Sequence, residues 1–218
     1  MRKFDPISIE KIKEIFFNWI NSLTQEEKEA LRYYSSEDGY TYINDLAKNG
    51  DLNNFYVKNI QTSLEKFILD TELAVYRAEY RDGPSYEKTI DLYSCGLIEE
   101  LIIPYYNFIS TSFSESCAWN FLQDNLIKKN KGSIYFFMKA IVSKGIKCGY
   151  IYPDIAYFGE SEREILLTKD LVFKFEKIIG KEDENIIEIE GSYHDFDSHI
   201  GNIILNRGRR LDQWIKSK

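Results

Sequence analysis

The sequence predicts an α+β domain, with an N-terminal helical lobe packed on two mostly antiparallel β-sheets. Three observations predict it. Up to about residue 69, apolar residues recur at helical spacing. After Asp70 the pattern shortens to that of strands, and short runs rich in Ile, Val, Tyr and Phe follow with turns between them. Helices first and strands afterwards, rather than the two in alternation, is the order of an α+β fold. At 218 residues the chain is long enough to bury one good core. It contains no internal repeat, low-complexity segment or linker-like stretch, so one domain is expected over residues 1–195. The helical lobe takes about 1–70 and the β-rich core about 71–195, and a polar tail follows over 196–218.

In the lobe, Ile9, Ile12, Phe16, Trp19 and Ile20 form an apolar stripe that predicts one amphipathic helix over 8–21. Thr24 followed by Glu27 is a capping-box pattern, and it opens a second helix to about residue 34. The polar run 35–39, ending at Gly39, breaks that helix. A short third helix is expected over 42–47 and a turn at 49–51. A fourth helix over 56–69 would bury Ile60, Leu64 and Phe67.

The β-rich part begins with a strand over 73–78 that carries a single arginine, Arg77, and continues into a loop at 81–85. Runs 101–103 and 108–112 read as strand pieces either side of Pro104. Ser114 is placed to cap a helix through Trp119, Phe121 and Leu122 to about residue 128. Strands are expected at 134–138, 149–152, 162–167, 172–175 and 186–189, with the polar run 181–185 as a hairpin turn. Beyond Gly191 the chain turns polar, and Arg207, Arg209 and Arg210 cluster near its end.

Composition narrows the function. A net charge of −7 argues against a broad nucleic-acid footprint, which is usually basic. Cys95, Cys117 and Cys148 have no paired metal-ligand spacing, and three cysteines make a poor disulfide framework, so they read as reduced and structural. No apolar run reaches membrane-spanning length, so no membrane partner is expected. The first residues are basic without an apolar segment behind them, so no signal peptide is visible. The chain is expected to be cytoplasmic, exported by a signal-less route, or to stand here without its leader. His194 and His199, with Asp195 and Asp197 between them, match no standard metal cage, so they read as a solvated tail and no metal is expected.

The stretch 158–167 carries the chemistry. A loop runs into a strand here, and alternation sends Glu162 and Glu164 to one face and Arg163 to the other. Two carboxylates side by side repel each other; they are tolerated if both stay wet or if a site uses them. On its own, Glu-x-Glu reads as a solvated strand edge. Arg77 alone reads as a sheet-edge ion-pair partner, Ser110 and Ser112 as ordinary strand residues, and Phe121 as helix core. Their order changes that reading: a strand arginine, then Ser110-Thr111-Ser112, then Glu162-Arg163-Glu164 entering Ile165, Leu166 and Leu167.

In that order the motifs resemble the mono-ADP-ribosyltransferases of the Arg-Ser-Glu class. The resemblance extends to the catalytic domains of bacterial binary actin-modifying toxins and Rho-modifying exoenzymes. Tyr76-Arg77 resembles the family's Tyr-Arg strand, and Asn107 stands ahead of the Ser-Thr-Ser strand as it does there. Phe121 lies on the following helix, and Gly149-Tyr150-Ile151-Tyr152-Pro153 leads into the loop before the glutamates. Tyr42-Ile43-Asn44 is similar to the family's helical lobe, and the whole resemblance covers roughly residues 20–192. The chain departs from the pattern at Ala78, where the family often has Gly or a second Arg. It departs again at Gln123 or Asp124, where a basic residue is usual; Lys128 or Arg81 are the substitutes at hand.

The resemblance implies the ADP-ribosyltransferase fold with NAD as co-substrate, and no Gly-x-Gly-x-x-Gly turn points to a Rossmann site instead. It implies that Glu164 stabilises the positive charge that develops on the ribose as the nicotinamide bond breaks. Arg77 would offer a planar, always-charged fork to the phosphates. Ser110 would hold Glu164, and Asn107, Thr111 and Phe121 would complete the NAD site, Phe121 as a rigid apolar face. Glu162 would receive an incoming guanidinium and help deprotonate it. Tyr157 and Phe158, in the loop 154–161, would meet the acceptor. Tyr34 and Tyr42 belong either to the adenine end or to helix packing.

Three functions follow. The first is an arginine-specific protein mono-ADP-ribosyltransferase, a bacterial or phage toxin or effector. The second is the same transfer to a base of RNA or DNA; the acidic balance counts against it, as does Glu rather than Gln at position 162. The third is a non-enzymatic binding module that keeps the fold, against which the intact Arg77, Ser110 and Glu164 count. A toxin of this kind would call for a delivery or antitoxin partner protein.

Overall fold

The computed structural model describes residues 4, 6–81, 102–127, 134–161, 163–183 and 186–196. Cys95, Lys128, Glu162, the loop at 82–85, the tip of the 181–185 turn and the tail beyond 196 lie outside the described residues. Five helices come first: α1 Ile9–Ile15, α2 Phe17–Ser22, α3 Gln25–Tyr34, α4 Glu37–Lys48 and α5 Phe55–Glu65. The single helix expected over 8–21 is therefore two. The break falls at Phe16, whose ring is fully buried 4.6 Å from that of Phe67 and 6.2 Å from that of Trp19. Local periodicity does not register such a break, because both halves keep their apolar side on the same core.

The capping box at the start of α3 forms as its sequence predicts. Glu27 N–H donates to Thr24 Oγ1, and Thr24 N–H donates to Glu27 Oε2 at 2.7 Å. Caps of this kind stabilise a helix by about 1 kcal/mol. Glu27 is buried and also pairs with Lys66 Nζ at 2.6 Å, which ties α3 to the end of α5. Helix α4 is longer than the 42–47 expected. Ser36, in the run expected only to break the chain, is its N-cap and accepts from Gly39 N–H at 3.1 Å. The same residue types that end one helix start the next. Gly39 is required at that corner: a Cβ there would lie 1.8 Å from the Tyr33 carbonyl oxygen. Helix α5 stops at Glu65, short of the 69 expected, and Ile68 bridges to Lys147 instead.

Beyond α5 the described residues form β1 Leu73–Arg81, β2 Ile102–Tyr105, β3 Ile109–Ser112, α6 Glu115–Ile127, β4 Ile134–Val142, β5 Cys148–Tyr150, β6 Glu164–Leu167, β7 Leu171–Asp183 and β8 Ile186–Asp195. The strands lie in the order β2-β7-β8-β4-β1-β3-β6-β5. Where two sheets are expected, the pairing runs on into one mixed eight-stranded sheet, with β4 and β8 parallel and every other pair antiparallel. Its five-strand and three-strand parts join at β1 and β3 through a single register pair, Tyr76 opposite Ser112. Pro104 sits inside β2, opposite Val172, rather than between two strands. Among the described strands β2 stands at the edge of the sheet, a position that tolerates proline's missing N–H. Residues 192–195, where the sequence turns polar and no strand is expected, belong to β8, and Tyr193 there is fully buried. Gly191 is a packing residue, since a Cβ would meet the Phe173 ring at 2.3 Å.

Strand β1 is covered on both faces. Leu73 and Val75 belong to the main core with the helical lobe. Tyr76 and Ala78 belong to a second cluster with Ala118 and Leu122 of α6, where Trp119 stacks on Phe137 at 4.1 Å. Alternation then assigns Arg77 and Glu79 to the lobe-facing side. Among the described residues, no helix is long and apolar enough to cross a membrane.

Candidate active site

Arg77 is the centre of the arrangement. Its Nη1 donates to the Ser110 carbonyl, its Nη2 to the Tyr40 hydroxyl at 3.3 Å, and its Nε to Glu79 Oε2 at 3.1 Å. Strands β1 and β3 and helix α4 therefore fix one guanidinium. Burial works against its charge, but the Tyr40, Glu79, Tyr193 and Tyr105 side chains hold the group well above its ordinary pKa.

Glu164 is the first residue of β6 and is only 4 % exposed. Register places it opposite Ser112, with Thr111 opposite Ile165 and Ser110 opposite Leu166. Directly opposed residues share a face, so Ser110, Ser112 and Glu164 lie together. Ser112, rather than the expected Ser110, is the hydroxyl in register with Glu164. Thr111 points to the other face, where its hydroxyl donates to the Ile165 carbonyl at 2.7 Å and pins β3 to β6. Asn107 donates through Nδ2 to the Phe108 carbonyl at 2.9 Å, shaping the entry to β3.

The lobe closes the site with tyrosines. Tyr34 is fully buried, accepts from Asn44 Nδ2 at 3.2 Å and packs edge-on against Phe108 and Tyr40. Burial first, then Tyr40 and Glu164, push its hydroxyl pKa well above the usual value, while Asn44 and Arg77 act the other way. Strand β3 links the guanidinium and the carboxylate: Arg77 donates to the Ser110 carbonyl, and Glu164 stands opposite Ser112, two residues on. Tyr42, paired with Tyr34 in the sequence reading, is instead exposed and packs edge-on to Tyr33.

The approach to Glu164 differs from a strand. Arg163 has φ 47, in the left-handed region, so extended backbone begins only at Glu164. Strand alternation therefore does not carry the Glu164 face back to Glu162, which lies outside the described residues. The Arg163 carbonyl accepts from Phe113 N–H and Ser112 Oγ, both at 3.3 Å, and its guanidinium lies 6.0 Å from the centre of the Phe113 ring. The preceding loop is tethered at several points. Ile151 N–H donates to the Glu164 carbonyl at 3.0 Å, the Tyr152 hydroxyl to the Lys13 carbonyl at 2.9 Å, and Tyr157 N–H to Ser35 Oγ at 2.8 Å. Between tethers the loop presents Tyr157 and Phe158, 59 % and 48 % exposed, packed edge-to-face with centroids 5.0 Å apart. Phe121 on α6 is 54 % exposed, so it is not core.

Sequence reasoning missed Tyr40, Glu79 and Tyr105. Glu79 was within reach, because a strand residue two beyond Arg77 must share its face. Tyr40 and Tyr105 carry no such signal, since each contact depends on how distant elements pack. His194 lies in β8 between Ser143 Oγ at 3.1 Å and Ser192 Oγ at 2.8 Å rather than in a solvated tail.

The ADP-ribosyltransferase exoenzyme family model matches residues 12–193. In structure the chain is similar to an ADP-ribosyltransferase from Clostridium botulinum, at 20 % identity and a TM-score of 0.62, covering 88 % of this chain and 98 % of that one. It is similar to the ADP-ribosylating component of a binary enterotoxin of C. perfringens, solved with NADH, at 20 % identity and a TM-score of 0.62. That likeness covers 85 % of this chain and 47 % of the enterotoxin component. It is also similar to the ADP-ribosyltransferase Vis from Vibrio splendidus, solved in complex with agmatine, at 18 % identity and a TM-score of 0.56, covering 88 % of both chains. No curated protein matches the chain by sequence. With a family model that spans the lobe, the Arg77 strand, the Ser-Thr-Ser strand and Glu164, the chain belongs to the ADP-ribosyltransferase exoenzyme family, enzymes that take NAD as co-substrate.

Proposed function

We propose that the protein is an NAD-dependent mono-ADP-ribosyltransferase that modifies arginine on a protein acceptor, as a bacterial or phage toxin or effector. The observation that carries this reading is that a cation and a buried carboxylate meet at one strand: Arg77 donates to the Ser110 carbonyl of β3, and Glu164 stands opposite Ser112 of the same strand. That pair suits a dinucleotide, with a fixed cation for its phosphates and a carboxylate for the ribose beside the leaving base. NAD supplies the ADP-ribose group, with nicotinamide as the leaving group.

The residues of this chain do the rest. Arg77 binds the phosphates with a guanidinium whose plane is set by its neighbours. Glu164 holds negative charge where positive charge develops on the ribose, and its place in a low-dielectric site makes that charge count. Ser112, in register with it, and Ser110, on the same face, fix that end of the site. Phe121 offers an exposed apolar face to the nicotinamide end. Glu162 receives the acceptor guanidinium bidentately and takes its proton. Tyr157 and Phe158 form the surface on which the acceptor protein docks. The agmatine bound to the related Vis carries a guanidinium, which supports an arginine-like acceptor here.

The test is incubation with labelled NAD and a cell lysate, followed by protease or nuclease digestion. Label that is lost with protease and survives as ADP-ribosyl-arginine in peptides is the expected result. Label released only by nuclease would overturn the protein acceptor.

A further inference from the structure

We propose that Glu79 is a positioning residue of the NAD site, acting through Arg77 and itself held by Tyr105. The proposal rests on the reading of Arg77 as the residue that binds the phosphates. Glu79 stands two residues beyond Arg77 on β1, so both side chains leave the same face of the strand. Its Oε2 accepts from Arg77 Nε at 3.1 Å, and its Oε1 accepts from the Tyr105 hydroxyl, also at 3.1 Å. Both members of the ion pair are 10 % exposed.

The Tyr105 contact is a tertiary one. Tyr105 ends the edge strand β2, and β7, β8 and β4 stand between it and β1 in the sheet order. Strands four places apart in a flat sheet would be about 19 Å apart. The Tyr105–Glu79 bond therefore needs the sheet to curl across the site face. The Tyr105 ring also packs 6.0 Å from Tyr193 of β8, inside that curl.

Of the three described groups that hold Arg77, Glu79 alone is charged; the Ser110 carbonyl and the Tyr40 hydroxyl are neutral. Glu79 grips the Nε edge and so sets the plane of the fork. A planar donor recognises a phosphate only if that plane is correct. The charge of Glu79 works in the opposite sense, because a carboxylate near bound phosphates repels them. Geometry and charge can therefore be separated: glutamine keeps hydrogen-bonding atoms on both sides and removes the charge.

The experiment measures NAD affinity by titration calorimetry, together with kcat and KM for NAD hydrolysis and the melting temperature. Arg77→Ala tests the underlying reading and should weaken NAD binding at least tenfold, the scale of losing charge-assisted hydrogen bonds. Glu79→Ala should raise Kd and KM about tenfold, with kcat within about twofold. Glu79→Gln should recover most of that affinity. In the Arg77→Ala background, Glu79→Ala should weaken binding no further, because the two act as a unit. Should Glu79→Ala fail to fold, Tyr105→Phe removes one hydroxyl and should raise KM about two- to threefold in the same direction. Unchanged affinity in the Glu79 and Tyr105 variants, beside a weakened Arg77→Ala, overturns the role of Glu79. So do effects that simply add to those of Arg77→Ala, or losses of kcat and melting temperature with KM unmoved. An unchanged affinity in Arg77→Ala instead overturns the phosphate-binding reading itself, and the proposal with it.

Discussion

The strand end of the site and the loop in front of it are built on opposite principles. Arg77 is bound by β1, β3 and α4 at once, and Glu164 is buried at the start of β6. The 154–161 loop hangs from a few tethers, such as Tyr157 N–H to Ser35, and turns Tyr157 and Phe158 outward. Groups that must act on a developing charge profit from being fixed before the reaction, because nothing then reorganises as the charge appears. Groups that must meet a second protein profit from exposure, and paired aromatics offer large contact area at low entropic cost. Under the proposed function, the difference would separate breaking NAD from choosing where the ADP-ribose goes, and four experiments press on that separation.

The largest effect belongs to Glu164. Glu164→Gln keeps shape and removes charge, so transfer and NAD hydrolysis should both fall by at least about 100-fold, the scale of losing one preorganised electrostatic group. Assaying both activities on one preparation checks it; near-normal hydrolysis would remove Glu164 from the NAD chemistry.

Changes on the acceptor side should split the two activities. Glu162→Gln, and separately Tyr157→Ala with Phe158→Ala, should lower transfer to protein by about tenfold or more while hydrolysis by water largely survives. If transfer and hydrolysis drop in step for these variants, the loop belongs to the NAD site and the division is wrong.

Arg77→Lys tests how far the fixed end depends on shape rather than charge. Lysine keeps the cation and loses the fork, so KM for NAD should rise several-fold with the melting temperature little changed. Calorimetry giving unchanged affinity would place the phosphates elsewhere.

The smallest effect is an alkaline one, and it tests burial close to the site. Cys148 in β5 is fully buried, and burial pushes its thiol up to about 12. The folded state thus keeps a proton that the unfolded chain releases near the ordinary thiol pKa of about 8.5. The contribution to stability is fully present below that pH and is lost as the pH rises from there toward about 12. Stability against urea should therefore fall above about pH 9. At pH 8, thiol labelling followed by peptide mapping should find Cys148 unreactive and the half-buried Cys117 faster. Equal labelling of the two would show that the β5 side of the site opens readily.

Much of the molecule was legible in its residues one stretch at a time. The capping box of Thr24 and Glu27, the end of α3 at Tyr34 and the strand character of 73–78, 108–112 and 164–167 all follow from neighbours in the chain. They do so because a cap or an alternation involves residues only two to four apart, whose geometry the backbone itself imposes. The order of Arg77, the Ser-Thr-Ser strand and Glu164 was legible for the same reason, and with it the family. The break at Phe16 and the membership of residues 192–195 in β8 were not, since each depends on what those side chains are buried against.

By itself, then, the sequence determined which residue types stand on most of the strands and, within a strand, which of them share a face. Only the tertiary structure decided their partners. Register set Ser112 rather than Ser110 opposite Glu164, and the left-handed turn at Arg163 ended the alternation before it reached Glu162. Packing of the lobe brought Tyr40 to Arg77 across 37 residues, and curling of the sheet brought Tyr105 to Glu79 across 26. Those contacts join groups with no covalent geometry in common. They exist only because burying the lobe and the sheet against each other fixes many distant residues at once, and no local pattern encodes a distance that the whole core must agree on.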